Sequence, residues 1–283
     1  MSRLWGEELR VALLPDQIVM VGIKAAMTRR GLKPQVHIRE SIPCASVSKG
    51  EANWIGVIKS LENALSLFAN RKMQATAIIS NHFMHYAVVP WSDALNSEAE
   101  EMAFAQHFFR EKYGPTADAW ELRISTDKAG EPQLASAMET NFLFALRELF
   151  KGKGISLRSI QPNLMAVCNG CSHTLRGRNA WVACVEPGNL CLSLLRHGKW
   201  SWMKTMRISE DWHDELPLIL EREAFLASSD APTNDVYLWS MDGEDQVIPI
   251  NEPWQIQYLK PAVVHGDGPE KDGRFSMAMS RGS

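Results

Sequence analysis

A strand–turn–strand pattern that occurs twice restricts the fold of this chain more than any other feature of its sequence. In the first copy, apolar runs at residues 11–14 and 18–23 flank the turn-forming residues Pro15, Asp16 and Gln17. The second copy begins at Trp181, carries Pro187 and Gly188 at its turn, and continues as an apolar run to residue 195. A hairpin that recurs in this way predicts that one structural unit is used twice.

The remaining sequence alternates between strand and helix patterns. Helices are predicted at 52–70, 97–113, 140–150 and 214–226, with further strands at 35–42, 75–79, 82–89, 120–125, 132–137, 155–160, 236–240 and 254–259. Ser48 and Glu51 resemble a capping box for the first helix, and Ser97 and Glu100 resemble one for the second. The strands at 75–79 and 82–89 are predicted to pair with each other. Interleaved strands and helices of this kind indicate an α/β fold.

Composition narrows the functional classes. The 283 residues are 45% hydrophobic and 22% charged, as in soluble globular proteins, and the net charge of −3 disfavours nucleic acid as a partner. No apolar run approaches the roughly 18 to 20 residues of a membrane span. The first ten residues lack the features of a secretory signal, and five cysteines are an odd number, so we expect a cytoplasmic protein with reduced thiols.

The hairpins and the strands between them resemble a known family, the actin-like assembly proteins of type IV pili and type II secretion (the PilM, GspL cytoplasmic-domain and MshI group). The resemblance rests on both hairpins, on the segment 75–91 that ends in Val88, Val89, Pro90 and Trp91, and on the strand at 155–160 before Pro162. It implies a bilobed actin-like (ribonuclease H-like) duplicated α/β fold with mixed sheets. The expected division is a first half at 1–175, a reduced second half at 176–260 and a flexible tail at 261–283.

Nucleotide-binding actin-like proteins place an acidic residue and a glycine in each hairpin, and the resemblance assigns Asp16, Glu186 and Gly188 to these positions. Glycine lets backbone N–H groups approach phosphate oxygens, and the carboxylate holds Mg²⁺ through water. The first turn has no glycine, and Pro15 has no N–H to donate. We therefore expect a degenerate nucleotide site with no catalytic residue and no cofactor, although ATP with Mg²⁺ stays an alternative.

Other candidate sites have weaker patterns. Cys168, Cys171 and His173 could supply three zinc ligands or a redox dithiol, but the sequence lacks an obvious fourth ligand, and buried cysteines explain the pattern better. His82 and His85 would point to opposite faces of a strand, so they are not expected to share a metal. No metal site is expected.

The leading functional hypothesis follows from the resemblance: a non-catalytic scaffold of a pilus or secretion assembly platform at the cytoplasmic face of the inner membrane. The expected partner is the cytoplasmic tail of a bitopic inner-membrane protein, with residues 78–91 as the candidate groove. The chain would reach the membrane through this partner. The alternatives are a divergent ATPase or sugar-kinase-like phosphotransferase, and a metal- or redox-sensing module built on Cys168, Cys171 and His173.

Overall fold

A computed structural model describes residues 7–28, 31–48, 50–68, 71–95, 97–125, 130–227, 233–243, 248–249, 253–263 and 273–280. In these residues the strands are β1 (Glu7–Leu13), β2 (Gln17–Thr28), β3 (Gly31–Pro43), β4 (Met73–Ile79), β5 (His85–Val89), β6 (Trp120–Ile124), β7 (Gln133–Glu139), β8 (Ser156–Pro162), β9 (Ala180–Glu186), β10 (Asn189–Arg196), β11 (Lys199–Arg207), β12 (Asp235–Ser240) and β13 (Gln255–Tyr258). The helices are α1 (Trp54–Ser66), α2 (Glu98–Tyr113), α3 (Thr140–Gly152), α4 (Asn163–Gly170), α5 (Ser172–Leu175), α6 (Trp212–Leu226) and α7 (Gly273–Met279).

The chain packs into two compact units, and each of them is assembled from separate stretches of sequence. The first comprises Met1–Phe83, Asn141–Cys171 and Pro261–Ser283, and the second comprises Met84–Thr140 and Ser172–Lys260. The division at 1–175 and 176–260 concerns the duplicated halves and stays a prediction. None of the helices that the structure describes has the length and hydropathy needed to cross a membrane.

The first unit is built on a five-stranded mixed sheet of order β3-β2-β1-β4-β8. β1 pairs antiparallel with β2 and parallel with β4, which confirms the first predicted hairpin. Successive side chains of β1 point to opposite faces of the sheet, and Leu9, Val11, Ala12 and Leu13 are all fully buried. Both faces of this central strand are therefore covered, which accounts for its nearly unbroken apolar sequence.

Helix α1 packs its apolar side on this unit, as its sequence predicted. The buried positions Val57, Leu61, Ala64 and Leu65 follow helical spacing, and the Trp54 ring stacks on Phe142 of α3 at a centroid distance of 5.5 Å. The helix begins after Asn53, whose side chain makes no capping hydrogen bond. The predicted capping box is wrong here, because Ser48 and Glu51 bond to each other in a separate upstream turn.

A buried arginine anchors helix α7 to the sheet of the first unit. Arg10 on β1 is 5% exposed, and its Nε donates to the carbonyl oxygen of Ala278 at 2.7 Å. A second guanidinium nitrogen donates to the carbonyl oxygen of Ser280, and a third donates to the Glu8 carboxylate at 2.9 Å. Within the segment 261–283, predicted as a flexible tail, residues 273–279 thus form a docked helix, while 264–272 and 281–283 lie outside the described residues.

The second unit repeats the strand order of the first. Its five-stranded sheet has the order β11-β10-β9-β12-β13, with β9 antiparallel to β10 and parallel to β12. Helix α6 covers one face of this sheet, where Leu216 and Leu220 pack with Trp181, Leu192 and Leu238. The two sheets agree in strand order and in strand direction, so the predicted duplication of an α/β sandwich with mixed sheets is confirmed.

A smaller antiparallel sheet, of order β5-β7-β6, also belongs to the second unit. Helix α2 packs on one of its faces, with Phe109 fully buried against Ala87, Leu122 and Ala137. The Oγ of Ser97 accepts a hydrogen bond from the backbone N–H of Glu100 at 3.3 Å, which confirms the predicted N-cap of this helix.

The predicted pairing of the strands at 75–79 and 82–89 is wrong. β4 joins the sheet of the first unit, whereas β5 begins only at His85 and pairs with β7. The connection is a short 3-10 turn at Asn81–Phe83. The N–H of Ser80 donates to the Leu13 carbonyl, and the Asn81 side chain accepts from the N–H of Leu164 at 3.2 Å. These bonds hold the end of β4 to β1 and α4 instead of allowing a hairpin.

Candidate functional site

The turn of the first hairpin has little capacity to hold phosphate. The N–H of Leu14 donates to the Gln17 carbonyl at 3.0 Å, and Pro15 has no N–H. The Asp16 carbonyl accepts from the N–H of Cys44 at 2.7 Å, while Asp16 itself is exposed. Two of the N–H groups that a phosphate would require are therefore unavailable in this turn.

The turn of the second hairpin is tighter and its acidic residue is buried. β9 and β10 pair up to Glu186 and Asn189, which leaves the two-residue loop Pro187–Gly188. Gly188 has a φ of 75°, and proline followed by such a glycine is the pattern of a type II turn. Glu186 is 0% exposed, so no solvent reaches its carboxylate in the way a hydrated Mg²⁺ would have to.

One donor in this hairpin is left over. Asn189 is 5% exposed, and its buried Nδ2 has no hydrogen-bond partner among the described residues. A buried amide without an acceptor is unfavourable, so this atom is the feature of the hairpin that favours an acceptor ligand. Asp16 belongs to the first unit and Glu186 and Gly188 to the second. Neither turn by itself fits a nucleotide phosphate well, and the assignment of the three residues to a nucleotide site stays a prediction.

The cysteine string at the end of α4 has the properties of packed thiols. Cys168 and Cys171 are buried, and burial raises the pKa of the Cys171 thiol to about 11, so that it stays protonated at neutral pH. His173 is exposed in the following helix. Among the residues that the structure describes, no group of three or more His, Cys, Asp or Glu side chains is arranged to hold a metal ion.

The candidate partner-binding surface lies where β5 ends in the second unit. A small pocket there is lined by Val89, Pro90, Trp91, Ser92, Leu95, Glu101, Phe104 and Gln133. The Trp91 side chain is 41% exposed at its edge. Of the segment 78–91 that was predicted as a groove, Ile78 and Ile79 are fully buried in β4 and face no solvent, whereas residues 89–91 line the pocket.

Hydrogen bonds and acidic residues lie at opposite ends of α2, which packs on β5 beside this pocket. At the far end of α2, the Tyr113 hydroxyl and the Lys112 ammonium both donate to the Tyr86 carbonyl, at 2.7 and 3.0 Å. At the near end, the first turn of α2 carries Glu98, Glu100 and Glu101. The surface therefore combines an exposed indole and apolar side chains with the carboxylate of Glu101. This chemistry suits a peptide that carries apolar and basic side chains.

His85, Tyr113 and Trp120 form an aromatic cluster in the second unit. The sequence predicted His85 on a strand and assigned it no function. The His85 ring stacks on Trp120 at 3.7 Å with an interplanar angle of 4°, and Tyr113 meets it edge-on at 5.3 Å. Burial lowers the pKa of His85 to about 4, so the imidazole is neutral at physiological pH. His85 thus acts as a packed aromatic group.

Sequence comparison provides no relative for this chain. No protein-family model matches it. No curated protein matches it either.

Comparison of structures identifies the fold. The cytoplasmic domain of EpsL, an inner membrane component of the type II secretion system of Vibrio cholerae, superimposes with a TM-score of 0.60 at 10% identity, covering 96% of this chain and 94% of that one. The PilM–PilN type IV pilus biogenesis complex gives a TM-score of 0.55 at 14% identity, with coverage of 82% and 81%. A Bacteroides thetaiotaomicron protein with an actin-like ATPase fold and unknown function gives 0.53 at 11% identity, with coverage of 87% and 86%. The protein therefore has an actin-like fold similar to that of cytoplasmic EpsL and PilM, as the doubled hairpin and its flanking strands predicted.

Proposed function

We propose that the protein is a non-catalytic scaffold of a type IV pilus or type II secretion assembly platform, placed at the cytoplasmic face of the inner membrane by a membrane-bound partner. The observation that carries this proposal is the similarity of the fold, over most of the chain, to both EpsL and PilM. The two turns described above support a non-catalytic role, since the first has no free N–H at Leu14 or Pro15 and the second buries the side chain of Glu186.

The proposed partner is the short cytoplasmic tail of a bitopic inner-membrane protein. The PilM structure that resembles this chain is a complex with PilN, which supports a partner of this kind. Cytoplasmic segments next to a membrane span are enriched in Lys and Arg, and the pocket at the end of β5 is lined by Glu101 in the acidic first turn of α2. The tail would place an apolar side chain against Trp91 and Phe104 and a basic side chain near Glu101.

The test is a titration of the full chain with a labelled synthetic peptide of the cytoplasmic tail of the bitopic protein from the same machine. We expect a Kd in the range of about 1–100 μM. Trp91→Ala or Phe104→Ser should weaken binding about tenfold or more, because aromatic anchors dominate such interfaces. Phe104 is half-buried and also packs on the cluster under α2, so an unchanged melting temperature has to accompany the loss of binding in Phe104→Ser. Phe144→Ser is the matched control, since this phenylalanine is 65% exposed on α3 in the first unit. Tail binding that is equal in all four proteins would refute the pocket, and no tail binding at all would refute the proposed partner.

The second candidate function is a divergent ATPase or sugar-kinase-like phosphotransferase, and the orphaned Nδ2 of Asn189 beside Gly188 favours it. Calorimetric titration with Mg²⁺-ATP separates it from the scaffold. The scaffold proposal expects no saturable heat and no phosphate release. A Kd tighter than about 100 μM that is lost in Glu186→Gln, together with phosphate release, would replace the scaffold by an enzyme.

A further inference from the structure

Helix α6 is apolar on two opposite sides, and only one of them packs on its own sheet. The inner side buries Leu216, Ile219 and Leu220. On the outer side, Leu218 is 68% exposed and Phe225, seven residues later on the same face, is 84% exposed. Leu226 beside them is 59% exposed. We call the face formed by Leu218, Phe225 and Leu226 the α6 ridge. The other exposed large apolar residues of the described chain are spread over separate elements, so the ridge is where such residues cluster.

The ridge stands on a rigid support. Glu223, on the inner side of the same turn as Phe225, has a side chain that is 1% exposed. Its carboxylate accepts from Lys204 of β11 at 2.8 Å and from the Arg222 guanidinium at 2.7 Å. Burial by itself would raise the pKa of Glu223, but these hydrogen bonds outweigh it and hold the pKa below its usual value. Phe225 is therefore displayed by an anchored helix turn and does not belong to a frayed end.

The charges that surround the ridge are mainly acidic. On the helix surface, Asp214 and Glu221 lie on one side of Leu218, and Glu215 lies on the other side. Arg222 is the basic group of this helix face, and its guanidinium is bonded to Glu223. Arg196 of β10 lines a pocket together with Glu221, so the carboxylates of Asp214 and Glu215 contribute most to the acidic character of the face. A surface of this kind repels anionic lipid. A second copy of the chain would bring the same carboxylates together, so a basic partner fits the ridge better.

We propose that the α6 ridge is a docking helix that inserts Leu218 and Phe225 into an apolar groove of a partner protein whose rim carries Lys and Arg side chains. Anchors at positions i and i+7 of a helix are the pattern of helix-in-groove recognition. The acidic groups at i−4 and i+3 then meet the basic rim and fix the register of the helix. This surface contains none of the pocket residues on β5 and α2, so it is independent of the proposed tail-binding function.

The first test uses a defined probe, a synthetic amphipathic helix of about 20 residues made of Leu and Lys, which presents an apolar strip edged with ammonium groups. We expect saturable binding to the full chain that weakens about tenfold or more in Leu218→Ser and in Phe225→Ser. Binding should also weaken between about 50 and about 500 mM NaCl. Phe144→Ser is the control for a lost exposed phenylalanine, and the same peptide with Glu in place of Lys is the control for charge. Equal binding by all variants, or by both peptides, overturns the proposal.

The second test finds the partner in the cell. A photo-crosslinking amino acid is placed at position 225, and for comparison at position 144. A protein captured from position 225 only, which after purification binds the full chain and loses about tenfold or more in affinity with Phe225→Ser, supports the proposal. Crosslinks to a second copy of the chain, with a dimer in sedimentation that Phe225→Ser abolishes, overturn the heterologous partner. Crosslinking at 225 that does not exceed that at 144 overturns the docking helix itself. Both substitutions are at exposed positions, and an unchanged melting temperature shows that the fold is intact.

Discussion

Removing the buried guanidinium of Arg10 should release helix α7 without unfolding the rest of the protein. Arg10→Met keeps an apolar stem on the side chain but leaves the Ala278 and Ser280 carbonyls without their donor. Hydrogen bonds to charged groups contribute about 1.5–3 kcal/mol each. Removing the guanidinium also removes its own desolvation cost, so we take the lower value for each of the two bonds, about 3 kcal/mol in total.

The assay is native-state hydrogen exchange, measured by mass spectrometry on a peptide that contains residues 273–280. A loss of about 3 kcal/mol corresponds to a roughly 150-fold loss of amide protection in α7. Protection in β1 and β2 should change much less, because their pairing does not depend on the guanidinium. Arg274→Met is the matched control, since this arginine belongs to α7, is exposed at the surface and contacts the Gln17 side chain at 3.5 Å. Protection of α7 in Arg10→Met within threefold of the wild type would refute the anchoring role.

Three further predictions concern stability. His85 has a folded pKa of about 4, below its usual 6.5, so the unfolded state takes up the proton first; stability should fall as the pH drops from 6.5 towards 4, by about 1.5 kcal/mol more in the wild type than in His85→Phe, a value reduced for the partial exposure of the ring. A Cβ at Gly56 would lie 2.3 Å from the Ala45 carbonyl oxygen, so Gly56→Ala should destabilise by about 2–3 kcal/mol in urea unfolding, whereas Gly152→Ala, with open space around it, should be neutral or slightly stabilising. Ser97→Ala removes the N-cap of α2 and should cost about 1 kcal/mol in the same measurement; a loss below about 0.3 kcal/mol would contradict the capping role.

The hairpins and their repetition could be predicted from the sequence, because turn residues and flanking apolar runs are local signals. Pairing between distant strands could not be predicted in this way. The segment 82–89 has the alternating pattern of a strand. However, hydrogen bonds of Ser80 with β1 and of Asn81 with α4 fix the end of β4, so the segment that follows does not pair with β4. Apolar periodicity identifies a strand without identifying its neighbour.

Helix α7 was missed because Gly, Pro and charged residues surround it and its seven residues are too few for a periodic signal. A signal did exist elsewhere: Arg10 stands inside an apolar strand, and a buried guanidinium needs acceptors. The α6 ridge also had a sequence signal. Leu218 and Phe225 lie off the face defined by Leu216, Ile219 and Leu220, so they had no place in the predicted core. The candidate pocket could be predicted only in part, because it joins the end of β5 to α2 through tertiary contacts.

The anchoring of α7 by Arg10 also sets an order for biosynthesis. The guanidinium and its two carbonyl acceptors are separated by 268 and 270 residues. At a translation rate of about 5–20 residues per second, the arginine leaves the ribosome many seconds before its partners exist. During this interval the guanidinium of Arg10 lacks the two carbonyl acceptors that residues 278 and 280 supply in the folded protein. Docking of α7 on β1 therefore cannot precede the synthesis of residue 280, however early the sheet of the first unit forms.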